Sequence, residues 1–267
     1  MFPSLRRVVL HEEDELVPPH FIPWPQLTHL SLNADSILPA TLRSMLSQSL
    51  ELVELHISFD SVAVANGEDD AVVPEINDPI ILPHLDTLSV YGDIEWVLEN
   101  LTLPALTTLD TALHRRTISL YNSLLSRSSF SLKSFKLGGP PGSFEIEPFL
   151  DIIRRMPSLT HIDCNSSVDV TPTLVASFAS LNLAPNLEYL RMSSSYWRIV
   201  VEDDEFLHMV SSRDRSGEPA VAEPNPPPYT RIFRSHMPKR SWGGEAAVKD
   251  VVVDRQVQIS ETVHIYF

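Results

Sequence analysis

Hydrophobic positions along the chain return in one spacing, L-x-x-L-x-L, the later places taken by an aliphatic residue or a stand-in for one. Aligned on the first leucine, the segments read "LRRVVL" from Leu5, "LTHLSL" from Leu27, "LVELHI" from Leu52, "LDTLSV" from Leu85, "LTTLDT" from Leu106, "LKSFKL" from Leu132, "LTHIDC" from Leu159 and "LEYLRM" from Leu187. Successive first leucines are 22, 25, 33, 21, 26, 27 and 28 residues apart. Proline stands two places ahead of that leucine at Pro3, Pro25, Pro83, Pro104, Pro157 and Pro185. One such segment would be an ordinary amphipathic stretch, but eight in one register are a repeat.

The alternation predicts a short strand in each unit, with the aliphatic places turned inward and the residues between them turned to solvent. Between strands the apolar residues recur at helical spacing, in "LPATLRSMLSQS", "IEWVLENL", "TISLYNSLLSRS", "EIEPFLDIIRRM", "TPTLVASFASL" and "DDEFLHMVSSR". Pro148 suits a first helical turn, and "VTPTL" and "DDEFL" place Thr or Asp where an N-cap is needed. A single unit cannot bury its apolar face, whereas stacked units share a continuous core. The expected fold is therefore α/β: over residues 1–215, a leucine-rich-repeat solenoid (horseshoe) with a parallel β-sheet on its concave face and helices outside. An acidic insertion at about residues 60–80 fills the longest spacing. Residues 216–240 read as a Pro-rich linker and basic loop, and 241–267 as a C-terminal strand segment that caps the end of the solenoid.

Pro-x-Leu-x-x-Leu units alternating with short helices resemble the leucine-rich-repeat region of fungal F-box proteins of the mushroom type. The resemblance covers roughly residues 1–215, including "EFLHMVSSRDR", which is similar to the closing helix of those proteins. It implies an interaction function. In that family an N-terminal F-box, a short helical module, docks on the adaptor of a cullin-RING ubiquitin ligase while the repeats hold the substrate. This chain opens inside the first repeat with "FPSL" and no F-box-like segment precedes it, so adaptor binding is expected only of a chain extended upstream.

Composition narrows the partner. The formal charge is −15, from 35 Asp+Glu against 20 Lys+Arg, a long-range field that repels phosphate backbones and anionic lipid. Neither nucleic acid nor membrane is an expected partner. No run of about 20 apolar residues could span a bilayer, and no signal-peptide pattern opens the chain. The lone cysteine, Cys164, excludes an intramolecular disulfide and suits a reducing compartment. The expected location is cytoplasmic, with "RIFRSHMPKR" at 231–240 as a weak nuclear-import signal.

Candidate binding residues fall in two columns between the inward places. One runs Arg7, His29, Glu54, Thr87, Thr108, Ser134, His161, Tyr189; the other runs Val9, Ser31, His56, Ser89, Asp110, Lys136, Asp163, Arg191. Mixed in charge, they suit hydrogen bonding and ion pairing with a folded protein. A partner is expected at Thr108, Asp110, Ser134, Lys136, His161, Asp163, Tyr189 and Arg191, where the polar residues are most varied and the acidic insertion does not intrude. His29 and His161 share a phase but lie far apart, which leaves His56 as the plausible neighbour of His29. Cys164 falls on an inward place. No Ser/His/Asp order, glycine-rich phosphate loop, paired carboxylates or metal-ligand spacing can be placed together, so neither catalysis nor a cofactor is expected. Two alternatives stay open: a hydrolase built around His29 and His56, and a fragment with no independent role.

Overall fold

The computed structural model describes residues 4–12, 21–62, 78–92, 94–112, 118–138, 146–165, 171–180 and 182–194, together with 205, 208, 209, 212, 233–234 and 261–266. The chain divides into two compact units, Met1–Ala112 with Arg116–Leu132, and Leu113–Arg115 with Lys133–Phe267.

In the first unit the elements follow as β1 (Arg7–His11), β2 (His29–Ile37), α1 (Pro39–Gln48), β3 (Glu54–Val62), β4 (Ile80–Ile81), β5 (Thr87–Gly92), α2 (Glu95–Asn100), β6 (Leu101–Thr102), β7 (Thr108–Ala112) and α3 (Ile118–Ser128). Strands β1, β2, β3, β5 and β7 pair side by side, all parallel, while β4 and β6 form a separate parallel pair. Each strand of the larger sheet begins two residues after a first leucine, at Arg7, His29, Glu54, Thr87 and Thr108. Leu27, Leu52, Leu85 and Leu106 are fully buried, so each fixes the height at which its strand enters the sheet.

The register stacks like on like. Val8, Leu30, Leu55, Leu88 and Leu109 form one buried row, and Leu32, Ile57, Val90 and Thr111 form the next, with Leu10 half-buried at its edge. A slip of one residue would turn every one of these side chains to water, which is why the register is so strongly specified. Ladder carbonyls reinforce it. The carbonyl after the first leucine accepts two amide hydrogens from the next unit: Arg6 from Thr28 and His29, Thr28 from Val53 and Glu54, Val53 from Asp86 and Thr87, Asp86 from Thr107 and Thr108, all at 2.8–3.1 Å. Strands β2 and β3 run longer than the six-place motif, pairing on to Ile37 and Val62; Ala34 and Phe59 continue the buried alternation, and Ile37 is buried off that period.

Thr111 is the polar member of an otherwise apolar row. Its hydroxyl meets that of Tyr121, from α3, at 2.8 Å, and the Tyr121 hydroxyl donates to the Ala112 carbonyl at 3.1 Å. A buried polar pair is thereby satisfied, and it seats α3 on the core side of β7. Arg127 ties α3 to α2 by donating to the Leu98 carbonyl at 2.6 Å and to the Leu101 carbonyl at 2.8 and 3.1 Å. Partial burial lowers the pKa of this guanidinium, and Glu99 works against the shift.

The second unit holds β8 (Ser134–Gly138), α4 (Ile146–Arg154), β9 (His161–Asn165), α5 (Pro172–Ala179), β10 (Tyr189–Ser194), β11 (Phe233–Arg234) and β12 (Glu261–Tyr266). Strands β8, β9 and β10 are parallel neighbours, and β12 runs antiparallel between β10 and β11. Again the strands start two residues beyond Leu132, Leu159 and Leu187. Phe135, Ile162 and Leu190 share a buried row, with Leu137 and Cys164 in the next. The doubled carbonyls recur: Lys133 accepts from Thr160 and His161, and Thr160 from Glu188 and Tyr189, at 2.8–3.0 Å.

Helix α4 buries Phe149, Leu150, Ile152 and Ile153, the face its helical spacing marked out, with Pro148 in its first turn. Helix α5 is capped as its sequence suggests, the Thr171 Oγ1 accepting from the Leu174 amide at 3.3 Å. Of the last helical stretch, Glu205, His208, Met209 and Ser212 are described and are helical. Most of the acidic insertion and all of the Pro-rich stretch lie outside the described residues, as does the aspartate expected to cap "DDEFL". Within the basic stretch Phe233 and Arg234 form β11, and the C-terminal segment supplies β12. The architecture is α/β with parallel strands in each unit.

Candidate interaction surface

Residues between the buried rows form ladders on the opposite face of each sheet. In the first unit the register aligns Arg7, His29, Glu54, Thr87 and Thr108, and beside them Val9, Ser31, His56, Ser89 and Asp110. In the second unit it aligns Ser134, His161 and Tyr189, and beside them Lys136, Asp163 and Arg191. Adjacent strands are about 4.8 Å apart, so each row is a close line of side chains. Of the eight residues expected to meet a partner, Thr108 and Asp110 belong to the first unit and the other six to the second.

On the first unit's face the carboxylates are already engaged. His29 Nε2 lies 3.5 Å from a Glu54 oxygen, and the Tyr91 hydroxyl donates to Asp110. His56 stacks obliquely on Tyr91, ring centroids 6.0 Å apart. The neighbour of His29 is thus Glu54 and not His56. The register also puts a serine between a histidine and an aspartate, His56, Ser89 and Asp110 in one row. The second column read from the sequence runs in this order, although no Ser/His/Asp set was expected to come together. Serine stands in the middle, so the aspartate has no path to orient the imidazole, and Ser89 hydrogen-bonds to neither among the described residues.

The second unit's face is arranged differently. Arg191 Nη1 lies 3.3 Å from Asp163 Oδ2, with the two side chains 34% and 19% exposed. The pair is only half satisfied: among the described residues Arg191 Nε and Asp163 Oδ1 are buried without a hydrogen-bond partner. A buried polar atom left without a partner costs about 1–3 kcal/mol. Lys136 is exposed and makes no hydrogen bond or ion pair among the described residues. His161 stacks on Tyr189 at 5.7 Å between centroids, and its Nδ1 lies 2.8 Å from the Thr160 hydroxyl.

Behind this face, Cys164 is buried, and burial together with the Asp163 charge raises its thiol pKa far above the ordinary range. A thiol held neutral is no nucleophile. Strand β12 adds two register positions that repeat spacing could not foretell, Tyr266 opposite Tyr189 and His264 opposite Arg191. A strand in the tail was legible in sequence, but its antiparallel partner was not. Among the described residues no group of three or more His, Cys, Asp or Glu could hold a metal ion, and no helix is long and apolar enough to cross a membrane. No family model, curated protein or solved structure matches the chain.

Proposed function

We propose that the chain is a protein-interaction module, a leucine-rich-repeat solenoid whose strand face receives a protein partner. Seven strands that start two residues past a buried leucine, and carbonyls that each accept two amides from the next unit, are what stacked repeats of this kind require. The observation that carries the function is the pair of ladders on β8, β9 and β10. Six polar side chains stand in register over an apolar floor, and among the described residues one cation has no partner and one ion pair is half satisfied. Such a surface suits a polar protein partner. Reversing the charge of Lys136 and Arg191 together should weaken binding to the partner recovered from source cells by about 1–3 kcal/mol. Equal weakening from reversing the exposed Glu147 and Arg154 on α4 would contradict this reading.

The resemblance to F-box proteins extends the proposal to a substrate receptor of a ubiquitin ligase. That role needs an F-box, and comparing adaptor binding by residues 1–267 with binding by an upstream-extended chain tests it. Tight binding by residues 1–267 alone would mean that a helical docking module lies where repeats are read.

A further inference from the structure

The Leu-Thr-His tripeptide occurs twice, and both copies fold alike. Thr28 Oγ1 lies 2.9 Å from His29 Nδ1 and 3.2 Å from the Arg6 carbonyl; Thr160 Oγ1 lies 2.8 Å from His161 Nδ1 and 3.2 Å from the Lys133 carbonyl. The hydroxyl has one hydrogen to give. Both carbonyls already accept two backbone amides, at 2.9 and 3.1 Å for Arg6 and 2.9 and 3.0 Å for Lys133, which occupies their two lone pairs. When the threonine hydrogen goes to Nδ1, the shorter of its two contacts, the neutral imidazole carries its own hydrogen on Nε2. The first copy agrees, since its Nε2 faces the carboxylate of Glu54. In the second copy the row neighbours are Ser134 and Tyr189, and His161 is exposed.

The face of β8, β9 and β10 thus presents donors: the Lys136 ammonium, the partly exposed Arg191 guanidinium, His161 Nε2–H and the Ser134 hydroxyl. Its carboxylate, Asp163, is mostly buried and already turned to Arg191. On the first unit's face, by contrast, Glu54 is half exposed. We propose that the β8–β10 face binds an acidic, extended protein segment, its carboxylates taken by Lys136 and Arg191 and a carbonyl or carboxylate oxygen by His161, with Thr160 as the positioning residue that makes His161 a donor. The overall charge of −15 does not forbid this. The Debye length is about 8 Å at physiological ionic strength, so at contact the nearby cations outweigh the distant anions. Charge-assisted donors to carboxylate are also the stronger kind of hydrogen bond.

This inference rests on the strand face being the docking surface, and its test separates the two. The full chain is titrated against a labelled peptide of alternating Glu and Thr, and against its Gln and Lys counterparts, by fluorescence anisotropy. The Glu peptide should bind best. Lys136→Glu with Arg191→Glu should weaken it by about tenfold. Lys136→Glu alone, at an exposed position that cannot unfold the chain, should weaken it in the same direction. Thr160→Val should weaken it and Thr160→Ser restore it, while long-range proton–nitrogen correlation shows the His161 hydrogen on Nε2 in the wild type. Equal binding of the Gln or Lys peptide, no binding of the Glu peptide, indifference to Lys136→Glu, or a hydrogen on Nδ1 would each overturn the proposal. If the natural partner then still protects Lys136 and Arg191 from chemical labelling, the docking surface stands and only its acidic specificity falls.

Discussion

Two buried polar side chains show how single residues are tuned to the core. The Tyr121 hydroxyl, whose pKa burial pushes far upward, is held by Thr111 and the Ala112 carbonyl. Tyr121→Phe should cost about 1–2 kcal/mol, because it weakens the bonding of a hydroxyl that stays buried at Thr111. The double variant with Thr111→Val should recover part of that loss, a coupling that urea unfolding of the four proteins would measure. Cys164 makes a pH prediction. Its thiol pKa is raised in the folded chain, so the folded state keeps a proton that the unfolded chain releases above about pH 8.5. The stability this confers is complete below that pH and is lost as the pH rises towards the folded-state value. Melting temperature should therefore fall from about pH 8.5 upward, and Cys164→Ala should flatten the first part of the fall. The native thiol should resist a disulfide reagent that labels it in denaturant; rapid native labelling would mean that Cys164 is not in the core row.

At the scale of the element, most strands and helices followed from local pattern. The first leucine of each unit marks where a strand begins because that side chain must be buried before the alternation can start. Caps were partly legible, Thr171 being an example. The end of α3 was not. Its following residue, Ser129, sits at φ 51°, in the left-handed region where a side chain costs about 1–2 kcal/mol. Ser129 is exposed, so Ser129→Gly should relieve that strain with no packing lost and stabilise by about 0.5–1 kcal/mol, read as a higher melting temperature. The same change at Ala184, φ 45°, should gain less, since the methyl removed there is buried.

Across the molecule the repeated register decides which side chains are buried. Leu109 in the first unit and Leu190 in the second are fully buried in their rows. Leu109→Asp or Leu190→Asp would place an unpaired charge in the core, an effect of several kcal/mol in a protein whose margin is about 5–15. Each variant should lose the cooperative transition of its own unit in thermal unfolding followed by circular dichroism. A full melting temperature in either would show the register to be wrong.

Sequence alone determined the eight strand positions, the inward and outward sides of each, and the composition of the ladders, because burial of a period-two face is a local demand repeated every unit. Tertiary structure decided which outward side chains meet. It set Arg191 against Asp163, Glu54 against His29 and Tyr91 against Asp110, since side-chain direction and donor count settle such pairings and spacing does not. It also decided that Tyr121 would satisfy Thr111 and that β12 would lie antiparallel on β10, contacts between segments whose own patterns carry no trace of one another. Local alternation tells a residue which way to face. Only the folded chain tells it what stands there.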